Sequence, residues 1–348
     1  MKLSTVLLSS AALLVAGAAY AADLPAKKAA PAAAPTGCAT FGAGFISIPG
    51  GDTCLKISGY VRSNNTYNMS TVARGTAPYS MSGNYDMTFD ARNQTEIGTV
   101  QSVVEIYNTA NEYAYINVAG FQAGTWDDNT DIGISGINGD YSGLTAKGLQ
   151  YSAPLGGNTT ISVGAVTAVT TYGGVTSGRP DLQLTVATGS GPFKANVVAV
   201  SHEAAGSDSG TANAYALVGN ASVAMGDATA KVYGAYAQGA SAYVIGSPVA
   251  TLFDAATDSS GMSSGSNVGA KLSYNIGKGS LSVFGNAANV TGATGSTTSY
   301  KSNNMGVNYA LTVAKGLTVT PELWNSVTNT GSGNSTAQSL YLRIQRDF

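Results

Sequence analysis

About sixteen short runs of alternating apolar and polar residues, divided by gaps that are tight and long by turns, constrain this chain more than any other feature. They fall at 55–67, 82–92, 95–107, 112–118, 121–125, 144–154, 159–168, 180–189, 192–202, 212–224, 228–237, 266–276, 279–289, 303–313, 316–326 and 336–348. Successive side chains of a strand point to opposite faces, so a period of two marks a strand with one apolar face. Tight gaps such as "APLGGN", "GSGPF", "MGDA", "IGKGS" and "AKGL" alternate with long polar ones at 125–143, 203–211, 238–265, 290–302 and 327–335. The tight gaps carry Gly with Asn, Asp or Lys, which tolerate the positive φ of two-residue hairpins. Short turns on one rim and long loops on the other are the requirement of an outer-membrane barrel, with the turns periplasmic.

An apolar strand face can look into a core or into lipid, and composition separates the two. Only 10% of the 348 residues are charged, with 44 Gly and 19 Tyr; mean hydropathy is +0.07. A water-facing surface is about a quarter to a third Lys, Arg, Asp and Glu, so lipid must replace water over much of this outside. The expected fold is an all-β transmembrane antiparallel barrel of about sixteen strands. A secreted β-repeat or adhesin with a Ser/Thr/Gly surface is the competing reading. The net charge of −2 argues against a nucleic-acid partner.

Strand parity assigns the faces. In "NYDMTFDAR", Tyr85, Met87, Phe89 and Ala91 oppose Asn84, Asp86, Thr88, Asp90 and Arg92; in "KISGYVRSN", Ile57, Gly59 and Val61 oppose Lys56, Ser58, Tyr60 and Arg62. In the ending "SLYLRIQRDF", Leu340, Leu342, Ile344 and Phe348 oppose Tyr341, Arg343 and Gln345. A basic residue facing lipid at the midplane costs about 2–4 kcal/mol, so the charged faces are lumenal. Phe348 then lies at the periplasmic interface and closes the last strand against the first.

The first 21 residues, "MKLSTVLLSSAALLVAGAAYA", have a basic start, an apolar run and an Ala-x-Ala ending. They are expected to be a cleaved signal peptide, with the mature chain starting at Ala22. Residues 22–37 are an Ala/Pro-rich spacer. No apolar stretch of ~18 residues follows, so no transmembrane helix is expected. Cys38 and Cys54, the only cysteines, are expected to form a disulfide in an oxidising periplasm, closing 38–54 ahead of a barrel at 55–348. One histidine, His202, permits no His-based metal cluster. A hydrolase using it stays arithmetically open, since Ser and Asp are plentiful; a hydrogen-bonded strand-end residue near the loop rim is the simpler reading. No cofactor or metal is expected.

Four stretches carry a resemblance: "CATFGAGFISIPGGDTCLKISGYVR" at 38–62, "FDARNQTEIGTVQSVVEI" at 89–106, "AYINVAGFQAGTWDD" at 114–128 and "YLRIQRDF" at 341–348. Here the chain resembles the alphaproteobacterial outer-membrane porins; between 156 and 335 it shares only the strand–turn rhythm. The resemblance implies a homotrimeric diffusion channel for small hydrophilic solutes and ions, set in outer-membrane lipid and lipopolysaccharide, with no enzymatic activity. It implies that Phe348 is read by the barrel-assembly machinery. It further implies that the loop after the fifth strand, "TWDDNTDIGISGINGDYSG" at 125–143, folds into the lumen. There the candidate acids Asp127, Asp128, Asp131 and Asp140 would face the wall bases that strand alternation offers, Arg62, Arg92, Lys147 and Arg343, across a transverse field. This loop departs from the family pattern in its many glycines, and the bases are few. The competing reading is that these acids solvate a surface loop. A channel with a solute-binding site, and an adhesin or phage receptor using 238–265 and 290–302, are alternative functions.

Overall fold

The computed structural model describes residues 38–70, 78–130, 134, 136–137, 144–167, 179–205, 211–245, 263–292, 299–330 and 333–348. The expected signal peptide and spacer, and Asp131 and Asp140, lie outside them. The chain forms two compact units, Met1–Gly42 and Ala43–Phe348. In the first, Cys38–Phe41 form a 3-10 turn.

The second holds β1 (Ile46–Ser47), β2 (Cys54–Asn68), β3 (Tyr79–Thr95), β4 (Gly98–Tyr107), β5 (Ala110–Val118), β6 (Phe121–Asp127), β7 (Thr145–Gly156), β8 (Thr159–Thr167) and β9 (Asp181–Ser190). It continues with β10 (Phe193–Ala205), β11 (Thr211–Met225), β12 (Ala228–Gln238), β13 (Ser264–Ile276), β14 (Gly279–Thr291), β15 (Ser299–Ala314), β16 (Leu317–Asn329) and β17 (Asn334–Asp347). β1 is a short pairing on β2 at Ile46↔Leu55 and Ser47↔Cys54. The other sixteen strands pair antiparallel in sequence order, and β17 returns to β2 from Ser339↔Asn68 to Asp347↔Tyr60. The barrel is closed. Lipid offers no hydrogen bonds, so a spanning sheet must leave no open edge. The seam runs to the last residue: the Phe348 N–H donates to the Gly59 carbonyl at 3.0 Å, and the Gly59 N–H to that of Phe348 at 3.2 Å.

Each expected run corresponds to one barrel strand. Seven two-residue turns, at 96–97, 119–120, 157–158, 191–192, 226–227, 277–278 and 315–316, line one rim. Two of them put both residues at positive φ: Ala119 (49°) with Gly120 (86°), and Gly157 (58°) with Asn158 (65°). That is the hairpin geometry whose twist matches the flanking strands.

The faces alternate sharply. Along β9, Leu182, Leu184 and Val186 are 48%, 44% and 38% exposed, while Asp181, Gln183 and Thr185 are 0%, 2% and 5%. From β10 to β12 the inner face departs from the polar-lumen rule. Val198, Val200, Ala216, Val218, Tyr233 and Ala237 are inward and buried, in one cluster with Ile134, Leu144, Tyr243 and Val244 from the connecting segments. Protein rather than water covers that part of the wall. A helical turn, Ala242–Ile245, carries Tyr243 and Val244; the Asn267 amide donates to the Val244 carbonyl at 2.8 Å.

Cys38 and Cys54 are joined in a disulfide. Within the barrel unit, the segment before β2 is held by the Arg92 guanidinium, 4.9 Å from the Phe45 ring centre, and by the Asn93 amide donating to Asp52 at 2.7 Å. A disulfide closing a loop this short contributes ~3 kcal/mol in the chain-entropy model. The double variant Cys38→Ser/Cys54→Ser is therefore expected to lose about that much local stability around Ala43–Thr53, seen as faster amide exchange. The closed barrel should keep its heat resistance; unchanged exchange would show that the other contacts suffice.

Candidate functional site

Parity on β2–β5 and β17 turns most of the charged residues of those strands inward. Arg62, on β2, lies with its guanidinium 4.7 Å from the Tyr60 ring centre and 5.5 Å from that of Tyr107, and donates to the Tyr107 hydroxyl at 3.0 Å. Arg343, on β17, donates from Nε to Asn64 Oδ1 at 2.8 Å. The register sets Arg343 opposite Asn64 and Gln345 opposite Arg62, so the two arginines are diagonal neighbours on one face. Arg92 closes a 2.6 Å ion pair with Asp90.

Beside the arginines stand Asp86 on β3, Glu105 on β4 and Glu112 on β5, with one carboxylate oxygen of each within 4.8 Å of the others. Asp86 is 8% exposed. A register shift between Glu105 and Ile106 brings Glu112 to this group, and the Thr88 hydroxyl donates to Glu105 at 3.4 Å. Among the described residues no ion pair within 4.0 Å joins these carboxylates to Arg62 or Arg343. Like charges this close repel one another, so this part of the wall draws positive charge.

The residues named from the sequence scatter. Arg62, Arg92 and Arg343 face inward. Lys147 does not: it shares the outer face of β7 with Leu149 and Tyr151, which are 64% and 45% exposed, whereas Ala146 and Gln150 turn in. Asp127 likewise has the outward parity of Phe121 and Thr125, opposite to buried Trp126. The register makes Asp127 and Lys147 diagonal neighbours on that outer face. Asp128 is 4% exposed and accepts hydrogen bonds from the Thr130 N–H at 2.8 Å and hydroxyl at 2.6 Å and from the Gln183 amide at 2.7 Å. Burial pushes its carboxyl pKa up, and the nearby Asp181 charge adds to this, against those hydrogen bonds.

The loop following β6 touches further inward residues. The Asn129 carbonyl accepts from the Asn196 amide at 3.2 Å. The Ile137 N–H donates to Glu322 Oε2 at 2.6 Å, and the Ile137 carbonyl accepts from Arg343 at 3.4 Å. At Gly136 a Cβ would stand 2.0 Å from Glu322 Oε2 and 2.2 Å from the Phe284 ring, so any larger residue must displace those side chains. Sequence reading missed Asp86, Glu105, Glu112 and Glu322 as site residues; the parity of Asp86, Glu105 and Glu322 was readable in "NYDMTFDAR", "SVVEI" and "TPELW", whereas Glu112 reaches the group only through the register shift.

A family model described as the porin subfamily matches residues 26–342. The chain belongs to the porin subfamily. Its relative "Outer membrane protein IIIA" of Rhizobium leguminosarum bv. viciae is 34% identical over 154 residues, 37% of this chain and 39% of that one. The chain spans less than half the length of the curated relatives it matches first, 48%, 39% and 40%. Among solved structures, the outer membrane channel DcaP of Acinetobacter baumannii has a similar fold. It aligns with a TM-score of 0.73 at 14% identity, over 87% of this chain and 99% of that one. OmpT of Vibrio cholerae, in a trimer form, aligns at 0.60 and 11% identity over 86% and 100%. The relatives are named as outer membrane proteins and porins, and this chain is an outer-membrane barrel.

In this porin barrel His202 is 6% exposed, its Nδ1 2.7 Å from Asp181 Oδ1. The Tyr243 hydroxyl donates to Asp181 Oδ2 at 2.5 Å, and burial beside that carboxylate raises the phenol pKa well above its usual value. The lone histidine is thus one member of a buried polar tie between β9, β10 and the turn at Ala242–Ile245.

Proposed function

We propose that the chain forms a water-filled channel across the outer membrane, passing small hydrophilic solutes and ions by passive diffusion. The loop after β6 narrows the lumen through its described residues 128–130 and 136–137. One observation carries this reading: that loop is bonded to Gln183 on β9 and Asn196 on β10 at its start, and to Glu322 on β16 and Arg343 on β17 further along. In a ring of sixteen strands, β9 and β17 stand eight apart, and contacts with both support a loop that reaches across the inside. The constriction places signs differently from the arrangement expected for the family. Acids and bases lie side by side on the wall of β2–β5 and β17, which makes the pore weakly selective by charge.

The functional unit is a homotrimer, supported by family membership. The exposed apolar belt, with Leu149 at 64%, Val163 at 50% and Leu182 at 48%, suits lipid and lipopolysaccharide contact. No catalytic step enters this function, and the tie of His202 to Asp181 and Tyr243 needs none. Purified protein in a planar bilayer tests it. Insertion events of three equal conductance steps are expected, and correctly folded barrels that conduct nothing would overturn the channel.

A further inference from the structure

We propose that the inner wall at Arg62, Arg343, Asp86, Glu105 and Glu112 is a binding subsite for zwitterionic solutes of amino-acid type. The arginines take the solute's carboxylate and the acids its ammonium. The inference rests on the channel reading above and adds a solute class to it.

The register sets Asp86 opposite Tyr60 on one side and Tyr107 on the other, and Arg62 lies two residues along β2 from Tyr60. Opposite charges therefore occupy neighbouring positions on one face. No direct ion pair closes between them: Arg92 closes on Asp90 at 2.6 Å, but among the described residues no such pair joins Arg62 or Arg343 to the three carboxylates. The positive end is not spent on an acid: the hydrogen bond that Arg62 makes goes to the neutral Tyr107 hydroxyl, and a carboxylate can take guanidinium N–H groups two at a time.

Simple ions gain little here. A monovalent ion placed beside either group is attracted by one sign and repelled by the other, whereas a dipole aligned along the wall gains from both. An ammonium has three N–H donors, and this site offers it three carboxylates. The Tyr60 and Tyr107 rings that flank Arg62 add apolar surface for a short carbon skeleton.

The test is current block in planar bilayers at low salt, because high salt screens the fields involved. Glycine is the probe, with glycerol, sodium acetate, methylammonium chloride and calcium chloride as controls. Glycine is expected to reduce the unit current along a saturating curve, and the controls to do so weakly or linearly. Arg62→Gln and Glu105→Gln should each weaken half-saturation about fivefold while the conductance steps persist, and the combined variant should abolish saturation. A linear glycine curve in the parent protein would overturn the subsite, as would acetate or calcium blocking as well as glycine, or variants with parental half-saturation. Those results leave the channels themselves visible, whereas loss of the channel reading would leave no current at all.

Discussion

Replacing Glu322 with alanine is expected to raise the unit conductance about twofold while the barrel keeps its heat resistance. Glu322 is 1% exposed, and its Oε2 accepts from the Ile137 N–H at 2.6 Å and from the Asn308 amide at 2.9 Å. Removing the carboxylate leaves two buried donors without their acceptor, at ~1–3 kcal/mol each. The loop gives way before the wall does, since Asn308 and Glu322 are also held by pairing to β14 and β17 and Ile137 lies in no strand. Gly136→Val attacks the same contact from the other side, because its Cβ would collide with Glu322 and Phe284. Both variants should widen the pore and make its current noisier. Unchanged conductance in two folded variants would mean that the loop does not narrow the path of ions.

The barrel was legible because a period of two is a local property. Each run of alternating residues records which face meets lipid, and the alternation of tight and long gaps records which rim each connection serves. Position along the strand was harder to use. Lys147, counted by strand alternation among the inward bases, stands in "AKGLQY" with the parity of Leu149 and Tyr151, which face out. The penalty for a basic residue on the lipid face falls from about 2–4 kcal/mol at the midplane to about 0–1 near the interface. Lys147, two residues into β7, sits where its long side chain can reach the headgroups. Asp127 fails for the same reason at the end of β6.

What lines the lumen was less legible still. Val198, Val200, Ala216 and Val218 turn inward because segments distant in sequence cover them, and no local pattern encodes a partner that arrives from another loop. In retrospect, runs apolar on both faces, such as "ANVVAVS" and "AYALVG", are the signal, since a strand wet on one side would not afford them. The three-carboxylate group joins β3, β4 and β5 through a register shift, and a shift by one residue reverses every face beyond it.

Phe348→Ala is expected to lower the outer-membrane yield in cells sharply, while protein refolded in detergent keeps nearly normal heat resistance and conductance. The Phe348 side chain is 56% exposed on the outside of the barrel, and full burial of such a ring in lipid is worth only ~1.5–3 kcal/mol. Its backbone is the more consequential part of the finished structure, because the N–H and carbonyl of Phe348 pair with Gly59 at the seam. Substitution keeps both bonds; deletion of the residue removes them. Comparing the two separates closure from recognition. If the ring serves as the signal by which the barrel is inserted, both variants lose yield in cells, and only the deletion also loosens the refolded barrel. Normal cellular yield of Phe348→Ala would show that the ring is merely packing. A collapse of its stability in vitro would show that the ring acts after assembly, in holding β17 against β2, rather than during it.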